Sequence, residues 1–306
     1  MTGDRMRRAL RLEWPTLGLI AFCYGAWLGA GFWLYPRAPL AALAVMALMT
    51  ALHSSLVHEC LHGHPTRHRL INEALVTLPL SLVYPFRRYR ALHLAHHHDT
   101  RLTDPLDDPE SYYRERWLYR ALPAVLRGLL RANNTLTGRV VIGPWLAAIG
   151  FLGAEARLLR QNAWGVRLAW GLHLPAMLAV LIAVQAMGIP LWLYLLAVCW
   201  PGLSLIALRT FAEHQWHEAP EGRTIIVERS PLAWLYLNNN LHIVHHRHPS
   251  TPWYALPALY RSRRTEWQAL NKGYVFPHYW ALWRQWGLRA KEPVAHPVLR
   301  REPETS

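Results

Sequence analysis

The sequence predicts an all-α integral membrane protein: four transmembrane helices in two hairpins, with a cytoplasmic helical cap holding a histidine-rich di-metal site. Three observations predict it. Four long apolar runs carry no Lys, Arg, Asp or Glu. The runs come in pairs joined by very short turns. The 18 histidines gather just beyond the ends of those runs.

The apolar runs are Pro15–Tyr35, Ala38–Val57, Leu168–Ile189 and Leu191–Leu208, each 18 to 22 residues long. A hydrocarbon core of ~30 Å needs about 20 apolar residues in a helix, so each run is long enough to cross. The first is too long for a signal-peptide core, and no small-residue cleavage pattern follows it. "YPRAP" joins the first pair and "GIP" the second. Turns this short force antiparallel hairpins, which puts both turns on one side of the membrane.

Charge sets the orientation. There are 33 Lys+Arg against 19 Asp+Glu, a formal +14, and only Lys272 and Lys291 are lysines. Of the basic residues, Arg37 alone lies in the outer turns. The positive-inside rule therefore makes the opposite side cytoplasmic. Nucleic-acid binding would call for basic residues interleaved with readout motifs on a soluble fold, and none is present.

The expected organisation is one domain. Spans fall at about 15–35, 38–57, 168–189 and 191–208, a cap covers 58–167 and 209–290, and 291–306 form a tail that frays over "AHPVLRREPETS". Two further apolar stretches, Leu70–Phe86 and Val140–Ala154, have arginines at both ends, as with Arg67 and Arg87 or Arg139 and Arg157. Matching basic flanks predict helices that lie in or dip into the interface. Cys23, Cys60 and Cys199 show no paired spacing, so no disulfide is implied.

The histidines carry the chemistry. "HECLHGH" places His58 and His62 four apart. "HLAHHHDT" supplies His93, His96 and His97, and "HIVHH" supplies His242, His245 and His246. On a helix, residues three and four apart share a face, so each box points its imidazoles together. Neutral imidazole is a ligand for iron, copper, nickel and zinc. His214, in "FAEHQWH", follows the fourth run, so all four groups fall on one side of the chain.

"HECLH" also spells the H-E-x-x-H of zinc proteases. A catalytic zinc takes three protein ligands and a water, which leaves most of these histidines idle. No Asp-Gly pair is present to supply the acidic ligand of membrane-embedded proteases. Glu59 then needs another role, such as orienting a histidine. The soluble di-iron carboxylate plan needs two Glu-x-x-His motifs, and only Glu59–His62 fits. Nine imidazoles suit two metal ions with open positions, iron used for oxygen chemistry above all. A membrane metal-binding or transport protein is the non-enzyme alternative. Transporters place ionisable ligands at mid-membrane, whereas these lie beyond the span ends.

The three boxes on two hairpins resemble the membrane fatty acid desaturase superfamily, over about Ala38 to Pro257. "RYRALHLAHHHDT" with its acidic follow-on "DPLDDPE", "AEHQWH", and "NNNLHIVHHRHPSTPWYALP" are all similar to segments of that family. The resemblance implies two non-haem irons, O2 as co-substrate and a lipid or fatty acyl substrate. It carries the ligand role to His58, His62, His93, His96, His97, His214, His242, His245 and His246. It departs at Thr210, where some acyl-CoA desaturases have an Asn four residues before the extra histidine. Desaturation is the first expectation. Lipid or carotenoid hydroxylation or ketolation, and decarboxylation of a free fatty acid to a terminal alkene, share the same boxes or the same hydrogen abstraction. The implied location is the inner membrane of a bacterium.

No haem or iron–sulfur motif is fused, so the electron donor is a separate ferredoxin, rubredoxin or cytochrome b5 type protein. Arg87, Arg88 and Arg90 are the expected docking patch for an acidic donor. The expected neighbours of the metals are Glu59, Asp99 beside box two, and Asn240. Asn238, Asn239 and Asn240 could instead cap the box-three helix. The acidic run Asp99, Asp104, Asp107, Asp108 and Glu110 is equally open to orienting ligand rings or to being solvated loop charge. His53 and His173 lie within spans and are expected to find hydrogen-bond partners. His64, His68, His98, His217 and His248 border the boxes, and His278 and His296 are expected at the surface.

Overall fold

The computed structural model describes residues 12–98 and 102–298. Among them, four helices are long and apolar enough to cross a membrane: Trp14–Leu34, Pro39–Leu61, Trp164–Ala186 and Leu191–Glu213. Pro15 and Pro39 sit in the first turns of their helices, where a missing N–H costs nothing. The second and fourth spans run past the apolar stretches that announce them, to Leu61 and Glu213. No Gly or Pro stands between Val57 and Leu61 to stop the helix, so it carries His58 with it.

Pro201 lies inside the fourth span, where its ring would clash with the carbonyl four residues earlier. A π-turn at Leu195–Cys199 immediately before it widens the helix and absorbs that conflict. Gly202 lets the same helix lie against the second span. A β-carbon there would fall 2.9 Å from Thr50 Cβ. Small residues at such crossings let helix backbones approach where lipid provides no hydrophobic drive.

The spans share a core of Ile20, Cys23, Trp27, Met46, Val180, Val184, Tyr194 and Val198. Their outer faces expose Phe22, Leu40, Leu178 and Ile182, as lipid contact requires. Exposed tryptophans mark the ends: Trp14 and Trp164 at the starts of the first and third spans, Trp33 and Trp192 at the opposite end. That is the placement of interfacial aromatic belts.

Leu70–Phe86 departs from the interfacial helix expected of it. Helix forms over Arg69–Leu75 and resumes at Phe86, and the stretch between is irregular. Its backbone carbonyls are satisfied by the spans: Tyr24 Oη donates to Leu78 O at 3.1 Å and Tyr194 Oη to Leu80 O at 2.7 Å. His173 Nε2 meets Leu82 O at 3.0 Å. Irregular backbone beside apolar spans is tolerated only where protein supplies such partners. Pro79 and Pro85 explain why the helix stops. The second stretch is helical, as Leu136–Val141 and Gly143–Arg160, and is tied to the fourth span by Ser204 Oγ donating to Val140 O at 2.7 Å.

The cap is built from short helices around two further cores, one holding Phe211, Ile225, Tyr236 and Leu282, the other Ile243, Val244, Leu256 and Trp267. The two-residue strands Ile226–Val227 and Val275–Phe276 pair in parallel between them. The expected tail is partly packed into this cap. Arg114 N donates to Val294 O at 2.8 Å and His296 N to Arg114 O at 3.0 Å. His296 is buried rather than at the surface, and Lys291 Nζ donates to the carbonyls of Phe211 and His214.

Candidate metal centre

Each box sits where its local structure aims it inward. His58 lies in the last turn of the second span and His62 caps it. His93, His96 and His97 lie on helix Phe86–His98, and His242, His245 and His246 on the short helix His242–Arg247. His214 leaves the end of the fourth span in extended conformation. Arg88 anchors the box-two helix through a two-pronged pair with Glu155 (2.8–2.9 Å), which also accepts from Trp170 Nε1 of the third span at 3.0 Å.

The nine histidines form two groups. His58, His62, His93, His97 and His245 make one; His96, His214, His242 and His246 make the other; within each, the ligand atoms lie within 4.8 Å of one another. The boxes therefore divide between the groups. His93 and His97, four apart on one helix face, enter the first, while His96 turns to the second. His242 and His246 enter the second, while His245 turns to the first. The groups adjoin where the rings of His97 and His246 stack at 4.2 Å. His214, which stands outside any box, has full standing in the second group.

The Nε2 atoms converge. In the first group, His93 Nε2 lies 3.1 Å from that of His62 and 3.0 Å from that of His97, which lies 3.2 Å from that of His245. In the second, His214 Nε2 is 3.0 Å from those of His96 and His242. His58 Nε2 is buried with no protein partner. Ligands ~2.1 Å from one metal and at right angles sit ~3 Å apart, so these spacings are those of a coordination sphere. The residues present thus fit metal ions with imidazole-rich shells.

Three partners fix the rings from behind. Glu110 accepts from His93 Nδ1 at 2.7 Å, Asp108 from His96 Nδ1 at 2.8 Å, and Asn239 Oδ1 faces His242 Nδ1 at 3.1 Å. An ionised carboxylate can only accept, so Nδ1 carries the proton and Nε2 is left for a metal. Asp108 also takes the amides of Thr103 and Glu110, which fixes its own orientation.

The electrostatics favour cation binding. Burial first, and neighbouring rings second, hold His62, His242, His245 and His246 well below the ordinary imidazole range. They are neutral lone-pair donors at pH 7. His96 goes the other way. Burial opposes its charge, but the carboxylates of Glu110 and Asp108 raise it to about 9. A metal entering that group displaces this proton.

Two expected neighbours are corrected. Glu59 orients no box histidine. It accepts from Trp253 N at 2.9 Å and lies with Glu13 and His64. Asn240 is tied to the strand at Val227 instead, its Nδ2 donating to Val227 O at 2.7 Å. Asn239 is the one that faces His242. None of the three asparagines caps the box-three helix, which has no side-chain cap. Asp99 lies outside the described residues. Two of the three arginines expected to dock a donor are paired within the chain, Arg87 with Glu73 at 2.6 Å and Arg88 with Glu155. Glu213 carries no motif in the sequence that marks it as a neighbour of the cage. It bonds Asn239 Nδ2 at 3.2 Å and lies 3.7 Å from His242 Nδ1.

Comparison with known proteins agrees with this geometry. The chain is 25% identical over 232 residues to the sn-1 oleoyl-lipid 12-desaturase of Picosynechococcus sp.; the match covers 69% of this chain and 64% of that protein's length. The fatty acid desaturase family model matches residues 37–278, which include all three boxes and His214. With four apolar spans ending at a cage of histidines and most of its length matched, this chain belongs to the fatty acid desaturase family.

Proposed function

We propose that this chain is an O2-dependent oxidoreductase that removes two hydrogens from adjacent carbons of a lipid or fatty acyl chain, leaving a double bond. The observation that carries it is the convergence of nine imidazole ligand atoms into two adjoining groups at one end of four apolar spans. His58, His62, His93, His97 and His245 would hold one iron and His96, His214, His242 and His246 the other. Bound there, the irons supply O2 activation and hydrogen abstraction from an unactivated C–H bond.

The protein's part is placement. Glu110, Asp108 and Asn239 fix the rings, and burial of the histidines limits water at the cage. An acyl chain reaches the cage from the bilayer, because the ligands lie at the ends of the spans. Holding that chain in one register sets which carbons react, a positioning effect. The overall reaction consumes one O2, two electrons and two protons and gives two waters. A separate ferredoxin, rubredoxin or cytochrome b5 type donor supplies the electrons. The concentration of arginine away from the outer turns supports a cytoplasmic cage, in a bacterial inner membrane.

Expression in a host of defined lipid composition, followed by mass spectrometry of lipids and hydrocarbons, tests this reading. The expected result is a new double bond that vanishes in the His97→Ala variant. A new hydroxyl group or a terminal alkene would redirect the reaction. An unchanged lipid and hydrocarbon profile under reducing, aerated conditions would oppose enzymatic action.

A further inference from the structure

Among the nine histidines, His214 alone has an extended backbone; the others lie on helices or, as His62, cap one. No helix sets its direction, so its chain must be held from outside. The last four carbonyls of the fourth span have no partner within the helix. Each finds one in the cap. Thr210 O accepts from Tyr112 Oη at 2.9 Å and Phe211 O from Lys291 Nζ at 2.8 Å. Ala212 O accepts from Tyr274 Oη at 2.7 Å and Glu213 O from Ile225 N at 3.1 Å.

The two edges of the extended chain at His214 are held differently. On one edge, Ile225 N donates to Glu213 O and Gln215 N to Arg223 O, both at 3.1 Å, so the chain pairs with 223–225 as a strand would. In extended chain, the carbonyl of one residue and the amide two residues later point the same way. His214 O and Trp216 N are such a pair, on the other edge, and two side chains meet them. Lys291 Nζ donates to His214 O, and Glu292 Oε1 accepts from Trp216 N at 2.8 Å. Tyr113 Oη lies 2.9 Å from the same amide. Lys291 and Glu292 thus stand in for a neighbouring strand.

Those two residues are themselves anchored. Lys291 N donates to Asn134 O at 2.8 Å, and Asn134 Nδ2 donates to Glu292 O at 3.1 Å. The Lys291 ammonium lies 5.3 Å from the centre of the Phe211 ring, 5.6 Å from that of Tyr274 and 5.8 Å from that of Trp286. Aromatic faces and the carbonyl end of a helix both attract a cation.

We propose that Lys291 is a positioning residue for the metal centre. Through the carbonyls of Phe211 and His214 it sets the direction of His214, and so the metal affinity of the four-histidine group. The inference rests on the reading of the nine histidines as two iron sites. The five-histidine group takes its direction from the helices Pro39–Leu61, Phe86–His98 and His242–Arg247, so its metal should be indifferent to Lys291.

The test compares full-length, iron-loaded wild type, Lys291→Met and Lys291→Gln in detergent, each equilibrated with an iron chelator over a range of concentrations. The wild type is expected to hold two irons per chain. In Lys291→Met, one of the two should bind about 10–100-fold more weakly, the usual loss when a residue that orients a ligand is removed. The other iron should bind as in the wild type. Lys291→Gln, too short to reach both carbonyls, should give the same result, and it decides the matter if the methionine variant does not fold. Two irons held at wild-type affinity in a folded variant would overturn the proposal, because pairing with 223–225 would then suffice to place His214. Equal weakening or loss of both irons would also overturn it, by making Lys291 a general support of the fold. A wild type that fails to hold two irons would instead remove the two-iron reading, and this inference with it.

Discussion

His97→Ala is expected to abolish turnover and to strip metal from the five-histidine group. The His97 ring lies where the two groups meet. Its Nε2 lies 3.0 Å from that of His93 and 3.2 Å from that of His245, and its face stacks on His246 of the other group at 4.2 Å. Alanine removes a ligand and the packing between the two groups together. A bound metal supplies several kcal/mol to the barrier, so a loss of about a thousandfold or more in turnover is expected. The adjacent His98 is the control. It is exposed and, among the described residues, bonds back to Leu94 O of its own helix, so His98→Ala should behave as wild type. Iron analysis and acyl product formation measure both variants side by side. If His97→Ala kept its full metal complement and turned over normally, the ligand assignment would be wrong.

The second large effect concerns stability. Glu213 and Arg209 form an i, i+4 ion pair at 2.8 Å, and both side chains are almost completely buried. The Arg209 guanidinium also lies 6.0 Å above the Tyr236 ring. Glu213→Leu leaves that cation uncompensated, beside Asn239, which has lost its acceptor. Breaking a buried pair from one side costs about 3–5 kcal/mol. Replacing both members by apolar residues of similar volume is often close to neutral. The Arg209→Met, Glu213→Leu double variant should therefore recover much of the lost stability. Thermal unfolding in detergent is the measurement. A double variant less stable than Glu213→Leu would show that Arg209 is held by something other than this pair.

The sequence makes the periodic parts of this molecule legible and hides the irregular ones. Charge-free length identifies the spans, because crossing a bilayer is a requirement on composition. Helical spacing identifies the boxes, because residues three and four apart must share a face. Spacing does not say that His96 and His245 leave their boxes for the opposite groups. That follows from how two helices meet, not from either helix alone. The box-three asparagines show a different limit. Leu237 and Asn238 take positive φ values of 50° and 59°, so the backbone turns just before Asn239 and Asn240. No simple period predicts which of those two side chains then faces His242; it is Asn239.

Asp108 and Glu110 were visible as members of an acidic run, without a rule to choose between them and Asp104 or Asp107. The loop selects them by returning under the box-two helix, where Asp108 reaches His96 and Glu110 reaches His93. Glu59 misled because H-E-x-x-H puts it between two ligands, yet a residue next to His58 on a helix is turned about 100° away. Lys291 lies in a proline-flanked segment with no hydrophobic period. Nothing in its surroundings announces that its ammonium group is buried against the carbonyls of Phe211 and His214.

Separate stretches of this chain bring nine imidazoles into two groups, each of which fits a metal ion. Iron quantification joined to iron-edge X-ray absorption on purified, iron-loaded protein tests it most directly. Two irons per chain are expected, each held mainly by imidazole nitrogen. Fewer than two metals in the cage, or a shell dominated by carboxylate oxygen, would contradict it.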